Sequence, residues 1–263
     1  MAERDALDVF NDPSRVFNCN ETILKLCLNT TKVRGIYTSR NISEIDSCQE
    51  RNTLTFLGTF NAAGDIVLPY LIFPYLRVPK TIVRSIPNGW VIGASESGWI
   101  ECGNFYEFIA NWFIKMLKEK NVKLPVILFV DGHTNYLTDQ TTEKCKENGV
   151  ILYKLLPNTT HILQPADVGC FKYLKSYWRE VVTEWEKNNR RCLGEKDGAR
   201  LLEKALNMIE KETIINSFKA SGLCPLDPNR PDYSKILIQV RNSSVAKNRK
   251  TRQILLITLK HNF

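Results

Sequence analysis

The chain has 263 residues, 43% of them hydrophobic and 24% charged, a balance typical of a protein that buries a core. This composition excludes intrinsic disorder as the main state. The longest apolar run, residues 66–76, contains two prolines and is about half of the ~20 residues that a membrane-spanning helix needs. We therefore expect no transmembrane segment and no membrane partner.

The formal net charge of +8 is concentrated at the carboxyl end. Residues 241–263 carry six basic side chains and no acid, so the rest of the chain is nearly neutral. Such a tail attracts nucleic acid without reading its sequence or acts as a nuclear address, and a solvated, disordered end is an equal alternative. The acidic start does not resemble a secretory signal, so we interpret the eight cysteines as reduced thiols of an intracellular protein.

Hydrophobic periodicity predicts that the domain opens with three antiparallel strands, at 15–20, 53–60 and 66–73. Residues 61–65 contain Asn, Gly and Asp, which suit a hairpin loop between the second and third strands. A loop-rich stretch follows.

The rest of the domain is predicted to alternate helices with buried strands. The helices are expected at 105–120, 138–148, from Pro165 onward, 199–208 and 211–218, and the strands at 125–130 and 150–155. The unit from 125 to 155 is a parallel pair with a right-handed crossover, which makes the fold a mixed α/β layer fold. Four tryptophans, three of them on apolar helical stripes, are interpreted as core side chains: Trp99, Trp112, Trp178 and Trp185. The expected organisation is a lead-in (1–14), an α/β domain (15–190), a helical extension (191–235) and a basic tail (236–263).

Two aspartates occupy the edge at which an open α/β sheet binds ligands. Asp131 directly follows the strand 125–130, and Asp167 lies in the first turn of the helix that Pro165 opens. Two carboxylates there can hold divalent cations, and a pair of Mg²⁺ ions clamps the attacking and leaving oxygens in phosphoryl transfer. A helix cap for Asp167 and a simple turn for Asp131 are the alternatives.

The sequence around these acids resembles a known family. The stretches Asp131-Gly-His-Thr134 and Leu156-Pro-Asn-Thr-Thr-His-Ile-Leu-Gln-Pro-Ala-Asp-Val-Gly169 closely resemble the signature of the DDE superfamily endonuclease domain of pogo, Tigger and jerky-type transposases, which centromere protein B also carries. The resemblance covers roughly residues 13–228. It implies a ribonuclease-H-like fold in which three acids bind two Mg²⁺ or Mn²⁺ ions to cut and join transposon DNA.

Carried over by motif, the second acid is Asp131 and the third is Asp167, whereas the first falls on Asn20. An asparagine carries no charge and cannot bridge two cations, so the resemblance implies that strand-transfer activity is lost. Glu21 is not expected to substitute, because successive side chains of a strand point to opposite faces.

Further candidates flank the acids. His133 and His161 are possible supports for the acids, and a histidine that donates to a backbone carbonyl is the alternative. Three basic side chains recur along one side of the long helix, where they suit a track for DNA phosphates, and a solvated basic face is an equal alternative. They are Lys172, Lys175 and Arg179.

Three hypotheses follow. The leading one is a transposase-derived, catalytically impaired nuclear module that needs no cofactor, binds DNA weakly without sequence preference, and has unknown protein partners. The second is an active, Mg²⁺- or Mn²⁺-dependent DNA endonuclease or transposase that tolerates Asn20. The third is a non-functional transposon remnant. Because the resemblance begins within about fifteen residues of Met1, no preceding helix-turn-helix module and no sequence-specific DNA recognition are expected.

Overall fold

A mixed sheet organises the residues that the computed structural model describes, namely 8–28, 53–132, 137–156, 159–191 and 193–233. Its strands are β1 (Val16–Lys25), β2 (Thr53–Asn61), β3 (Ile66–Phe73), β4 (Val91–Ala94), β5 (Val126–Val130) and β6 (Val150–Lys154). They lie in the order β4-β3-β2-β1-β5-β6. β1, β2 and β3 pair antiparallel, whereas β1, β5 and β6 run parallel. The predicted ribonuclease-H-like mixed sheet is confirmed.

Two strands differ from the prediction. β1 continues to Lys25, so Asn20 lies in the middle of the strand and not at its end. The polar residues 20–22 suggested an end, but they keep pairing with β2, and Leu24 then returns to the core. β4 falls within the stretch predicted to be loop-rich, and it extends the sheet by pairing parallel with β3. Four residues are too few to give a periodic pattern.

Helices cover both faces of the sheet. They are α1 (Lys80–Val83), α2 (three consecutive segments, Cys102–Glu107, the π-helical Phe108–Phe113 and Ile114–Glu119), α3 (Asp139–Glu147), α4 (Thr160–Leu163), α5 (the π-helical Ala166–Cys170 continued by Phe171–Asn189), α6 (Glu195–Asn207) and α7 (Lys211–Ala220). Within the described ranges, none of these helices is long and apolar enough to span a bilayer.

Each face of the sheet has its own apolar cluster. On one face, Phe17 of β1 packs edge-on against Phe113 of α2, with ring centroids 5.3 Å apart. On the other face, the cluster joins Phe56 of β2 to Trp178 of α5 and Phe218 of α7. The helices after residue 190 therefore share a core with the sheet.

The tryptophan prediction holds only in part. Trp178 is 2% exposed and belongs to the core, whereas Trp99 and Trp112 are 48% and 42% exposed, so the prediction was wrong for those two. Trp112 lies in the π-helical segment of α2, where an extra residue per turn rotates the apolar stripe and directs this ring outward. Trp185 is partly buried under the guanidinium of Arg191, which lies 4.5 Å from the ring centroid.

The cysteines are not all reduced thiols, contrary to the prediction. Cys27 is disulfide-bonded. Among the described residues, Cys19, Cys145, Cys170 and Cys224 are reduced thiols. Cysteine spacing alone gave no signal for this bond.

Candidate functional site

The separation of β1 from β5 creates the position of the candidate site. The two strands pair in parallel, and their last pair is Asn18 with Phe129. Asn20 lies two residues beyond that pair in β1, and Asp131 lies two residues beyond it at the end of β5. The two side chains thus belong to the same level of the sheet, at the carboxyl edge where α/β folds bind ligands.

The start of α5 brings Asp167 to this edge. Asp167 lies in the π-helical turn Ala166–Cys170, and its Oδ2 accepts a hydrogen bond of 2.9 Å from Nδ2 of Asn20. Asp131 is close enough for its charge to raise the pKa of Asp167. The structure therefore brings Asn20, Asp131 and Asp167 together, although they are far apart in the sequence.

Both ends of the Asn20 amide are engaged inside the protein. Its Nδ2 donates to Asp167, and its Oδ1 accepts a hydrogen bond of 2.8 Å from the backbone N–H of Glu21. The side chain is only 7% exposed. Reversing the amide would point a carbonyl oxygen at a carboxylate and an NH₂ at an N–H, so these two partners fix its orientation.

Asp167 is held in an environment that favours its neutral form. Burial of the carboxyl raises its pKa to about 6, and the charge of Asp131 adds to the increase. The charge of Lys175 and the hydrogen bond from Asn20 act in the opposite direction. Because the residue as a whole is exposed, water reaches it and moderates the effect of burial.

Glu21 faces away from these groups, as the alternation of strand side chains predicts. Its Oε1 accepts a hydrogen bond of 3.0 Å from the backbone N–H of Ile100, and burial raises the pKa of its carboxyl. This contact ties the loop before α2 to β1. Glu21 is thus a link between elements, on the opposite face from Asn20.

Sequence analysis did not single out three residues that shape the site. Asn18 is fully buried and joins β1 to β5 and α5. Gln164, also fully buried, donates from Nε2 to the carbonyl of Cys19 at 3.3 Å. Gly58 is the cross-strand partner of Asn20, and a Cβ there would lie 2.9 Å from the ring of Phe171. Polar residues inside otherwise apolar segments were the available signal for the first two.

The structure describes the basic side chains of α5 and one of the two candidate histidines. Lys172, Lys175 and Arg179 are exposed on α5, and none of them forms a salt bridge with a described residue. His161 is partly buried, and its buried Nε2 has no hydrogen-bond partner among the described residues. His133 lies outside the described residues, as does the basic tail.

A conventional metal centre does not occur in the described part of the chain. No group of three or more His, Cys, Asp or Glu side chains lies close enough there to hold an ion. At the site, Asp131 and Asp167 supply two carboxylates, and Asn20 donates an amide N–H to Asp167.

Comparison with known families identifies the class of protein. Residues 51–218 match the family described as DDE superfamily endonuclease, which is well over half of the chain. The chain belongs to this family, and its domain is a transposase-like DDE endonuclease domain. Asp131 and Asp167 lie inside the matched region, whereas Asn20 lies before it.

Individual relatives are distant. The MFS-type transporter clz9 of Cochliobolus lunatus is 27% identical over 183 residues, which are 69% of this chain and 20% of that protein, so the chain spans about a fifth of this curated relative. A Mos1 transposase paired-end complex with the left transposon end is 11% identical with a TM-score of 0.41, covering 81% of this chain and 58% of that one. The Mos1 catalytic domain with Raltegravir and Mg is 8% identical with a TM-score of 0.41, covering 82% and 92%.

Proposed function

We propose that this protein is a transposase-derived DDE domain of the pogo and Tigger type that has lost strand-transfer chemistry and acts as a nuclear, DNA-associated module. The observation that carries this proposal is the Asn20 amide, whose Nδ2 lies 2.9 Å from Asp167 Oδ2 and whose Oδ1 is engaged by Glu21 N–H. In this proposal Asn20 occupies the position of the first family acid. An internal hydrogen bond then replaces one carboxylate of the metal site.

The residues present do not fit a pair of divalent ions. The only side-chain atom of Asn20 that could bind a cation is Oδ1, and it accepts from a backbone N–H. The atom that faces Asp167 is a donor, with a partial positive charge where a cation would need an oxygen ligand. Turning the amide would sacrifice both hydrogen bonds, at about 1–3 kcal/mol for each buried group left unpaired.

The electrostatics of the site also support a site without metal ions. The donor on Asn20 stabilises the ionised form of Asp167 in the absence of a metal ion, as a cation would. Mutual repulsion between Asp131 and Asp167 is therefore partly relieved by a group that belongs to the chain. We infer that the site is stable without Mg²⁺ or Mn²⁺.

The exposed face of α5 supports an association with DNA. Lys172, Lys175 and Arg179 are exposed and form no salt bridges with described residues. The charge of Lys175 acts on Asp167, so this face of α5 lies beside the site. Arginine and lysine side chains without acidic partners suit phosphate contacts, which carry no sequence information. Weak binding without sequence preference, and a nuclear location, are therefore part of the proposal.

The substitution Asn20→Asp tests the loss of chemistry. It restores an anion at nearly constant volume, so we expect it to bind Mn²⁺ in calorimetric titrations where the unmodified protein gives no heat. Nicking of supercoiled DNA should appear with it and disappear when Asp131→Ala or Asp167→Ala is added. Asn189→Asp, which adds the same charge at the exposed far end of α5, is the matched control and should bind no Mn²⁺.

Two outcomes contradict the proposal. Metal-dependent nicking by the unmodified protein, lost on Asp131→Ala, would favour the active endonuclease, for which the proximity of Asp131 to Asp167 is the supporting observation. If Asn20→Asp folds but neither binds Mn²⁺ nor nicks DNA, and the unmodified protein does not bind DNA at low ionic strength, the non-functional remnant would be favoured.

A further inference from the structure

One buried side chain connects the three elements that carry the site. Asn18 is fully buried, and its Nδ2 donates to the carbonyl oxygen of Phe129 at 3.0 Å. Its Oδ1 accepts from the backbone N–H of Ala166, also at 3.0 Å. Asn18 precedes Asn20 by two residues, Phe129 precedes Asp131 by two, and Ala166 directly precedes Asp167.

The location of these bonds coincides with the point where the sheet opens. The ladder between β1 and β5 ends at the pair of Asn18 and Phe129. Beyond it the strands are no longer paired, and the Asn18 side chain adds a bond between them at this last pair. The same side chain accepts from one of the first N–H groups of α5, which have no partner inside a helix. A single amide thus fixes the end of one strand pair and the start of one helix.

The neighbouring link is weaker. Gln164 also joins this region to β1, but its hydrogen bond to the Cys19 carbonyl is 3.3 Å long, and its buried Oε1 has no partner in the part of the chain that the structure describes. Gln164 reaches only β1, whereas Asn18 reaches β5 and α5. An aliphatic residue at position 18 would leave the Phe129 carbonyl without this side-chain donor and the Ala166 N–H without this acceptor.

We propose that Asn18 is the positioning residue of the candidate site, the group that sets Asn20, Asp131 and Asp167 in register through its hydrogen bonds to Phe129 and Ala166. The inference rests on the proposed function only in taking those three residues as the site. It predicts that loss of the Asn18 hydrogen bonds lowers the order of Asn20 and Asp167, whereas a general loss of domain stability does not.

The experiment measures order parameters by ¹⁵N relaxation on the full chain, at the Asn20 side-chain NH₂ and at the Asp167 backbone N–H. In the unmodified protein we expect values near those of rigid backbone, about 0.85. In Asn18→Leu, which has the same branched arrangement of side-chain heavy atoms and forms neither hydrogen bond, both should fall below about 0.6. Val16→Ala, which removes buried apolar atoms from the same strand and lowers stability, should leave both values unchanged.

The comparison with Gln164→Leu sharpens the test. This variant removes the neighbouring link and should lower the two order parameters less than Asn18→Leu does. If Asn18→Leu does not fold, Asn18→Ser is used instead. The shorter serine side chain can form at most one of the two hydrogen bonds that Asn18 makes. Unchanged order at Asn20 and Asp167 in a folded Asn18 variant, or an equal loss in Gln164→Leu or Val16→Ala, would overturn the assignment. Because the measurement uses no metal ion and no DNA, the result of the nicking test does not affect it.

Discussion

The ionisation of Asp167 is the residue-scale property that most directly reports the state of the site. Its pKa is raised to about 6 by burial and by the charge of Asp131. The folded protein therefore holds a proton on this carboxyl over a range of pH in which the unfolded chain, with a pKa near 3.9, has released it.

We expect Asp167 to make the protein less stable as pH rises from about 4 to about 6, and to have a constant effect above that window. Asp167→Asn removes this dependence and keeps an acceptor for the Asn20 amide, so it should gain stability relative to the unmodified protein as pH rises through the window. Urea unfolding at a series of pH values measures the difference.

Asp65 provides the control of opposite sign. Hydrogen bonds from Asn61 and Lys211 lower the pKa of Asp65, so its contribution is present above the unfolded pKa and is lost as pH falls. Asp65→Asn should therefore cost stability at neutral pH. A difference between Asp167→Asn and the unmodified protein that does not vary with pH would show that the carboxyl is not perturbed.

At the scale of elements, the site depends on how closely the start of α5 approaches its neighbours. Gly58 leaves room on β2 for Phe171, directly beside Asn20. Gly169, two residues after Asp167, lies against Ser217 of α7, and a Cβ at Gly169 would overlap the Ser217 hydroxyl and lie 3.1 Å from its Cβ. The small residues Gly58 and Gly169 thus allow the start of α5 to pack closely against β2 and α7.

Gly169→Ala should destabilise the protein by about 1–3 kcal/mol, because the close contact with Ser217 forces α5 and α7 apart. Adding Ser217→Gly should recover part of that loss, since it removes the overlapping atoms. Gly103→Ala in α2 is the matched control, with no atom within 4 Å of the added Cβ. It should be neutral or slightly stabilising in the same denaturation experiment. Equal effects of the two alanines would show that packing at Gly169 is not tight.

At the scale of the whole molecule, two groups of basic side chains are proposed to contact DNA, the exposed face of α5 and the carboxyl-terminal tail. By sequence, residues 241–263, which lie outside the described residues, contain six basic side chains. The slope of log affinity against log salt is negative for duplex DNA, and each phosphate contact adds about 0.9 to its magnitude.

We expect duplex DNA to bind with a Kd of about 10⁻⁴–10⁻⁶ M near physiological salt and without sequence preference. Replacing Lys172, Lys175 and Arg179 by alanine should lower the salt slope by up to about 3, and removing residues 241–263 should lower it further, by up to about 5. Fluorescence anisotropy with labelled duplexes at several salt concentrations gives these slopes.

A charge-matched variant separates location from net charge. Lys115, Lys118 and Lys120 are exposed at the end of α2 and just beyond it, on the opposite side of the sheet from α5. Their replacement by alanine removes the same charge and should leave the slope nearly unchanged. An equal effect of the two triple variants would mean that DNA responds to net charge alone.

The sequence by itself determined the mixed sheet, because buried strands such as β5 and the hairpin at 61–65 have local signatures in apolar runs and turn residues. It also pointed to Asp131 and Asp167 by motif. Only the tertiary structure decided the rest: the phase of α2 after its π-helical turn, the short β4, the disulfide bond of Cys27, and above all the contacts of Asn18 and Asn20. The bonds from Asn20 to Asp167 and from Ala166 to Asn18 join residues 147 and 148 positions apart. No local pattern encodes which end of an amide faces a carboxylate, because that is set by partners that meet only when the chain folds.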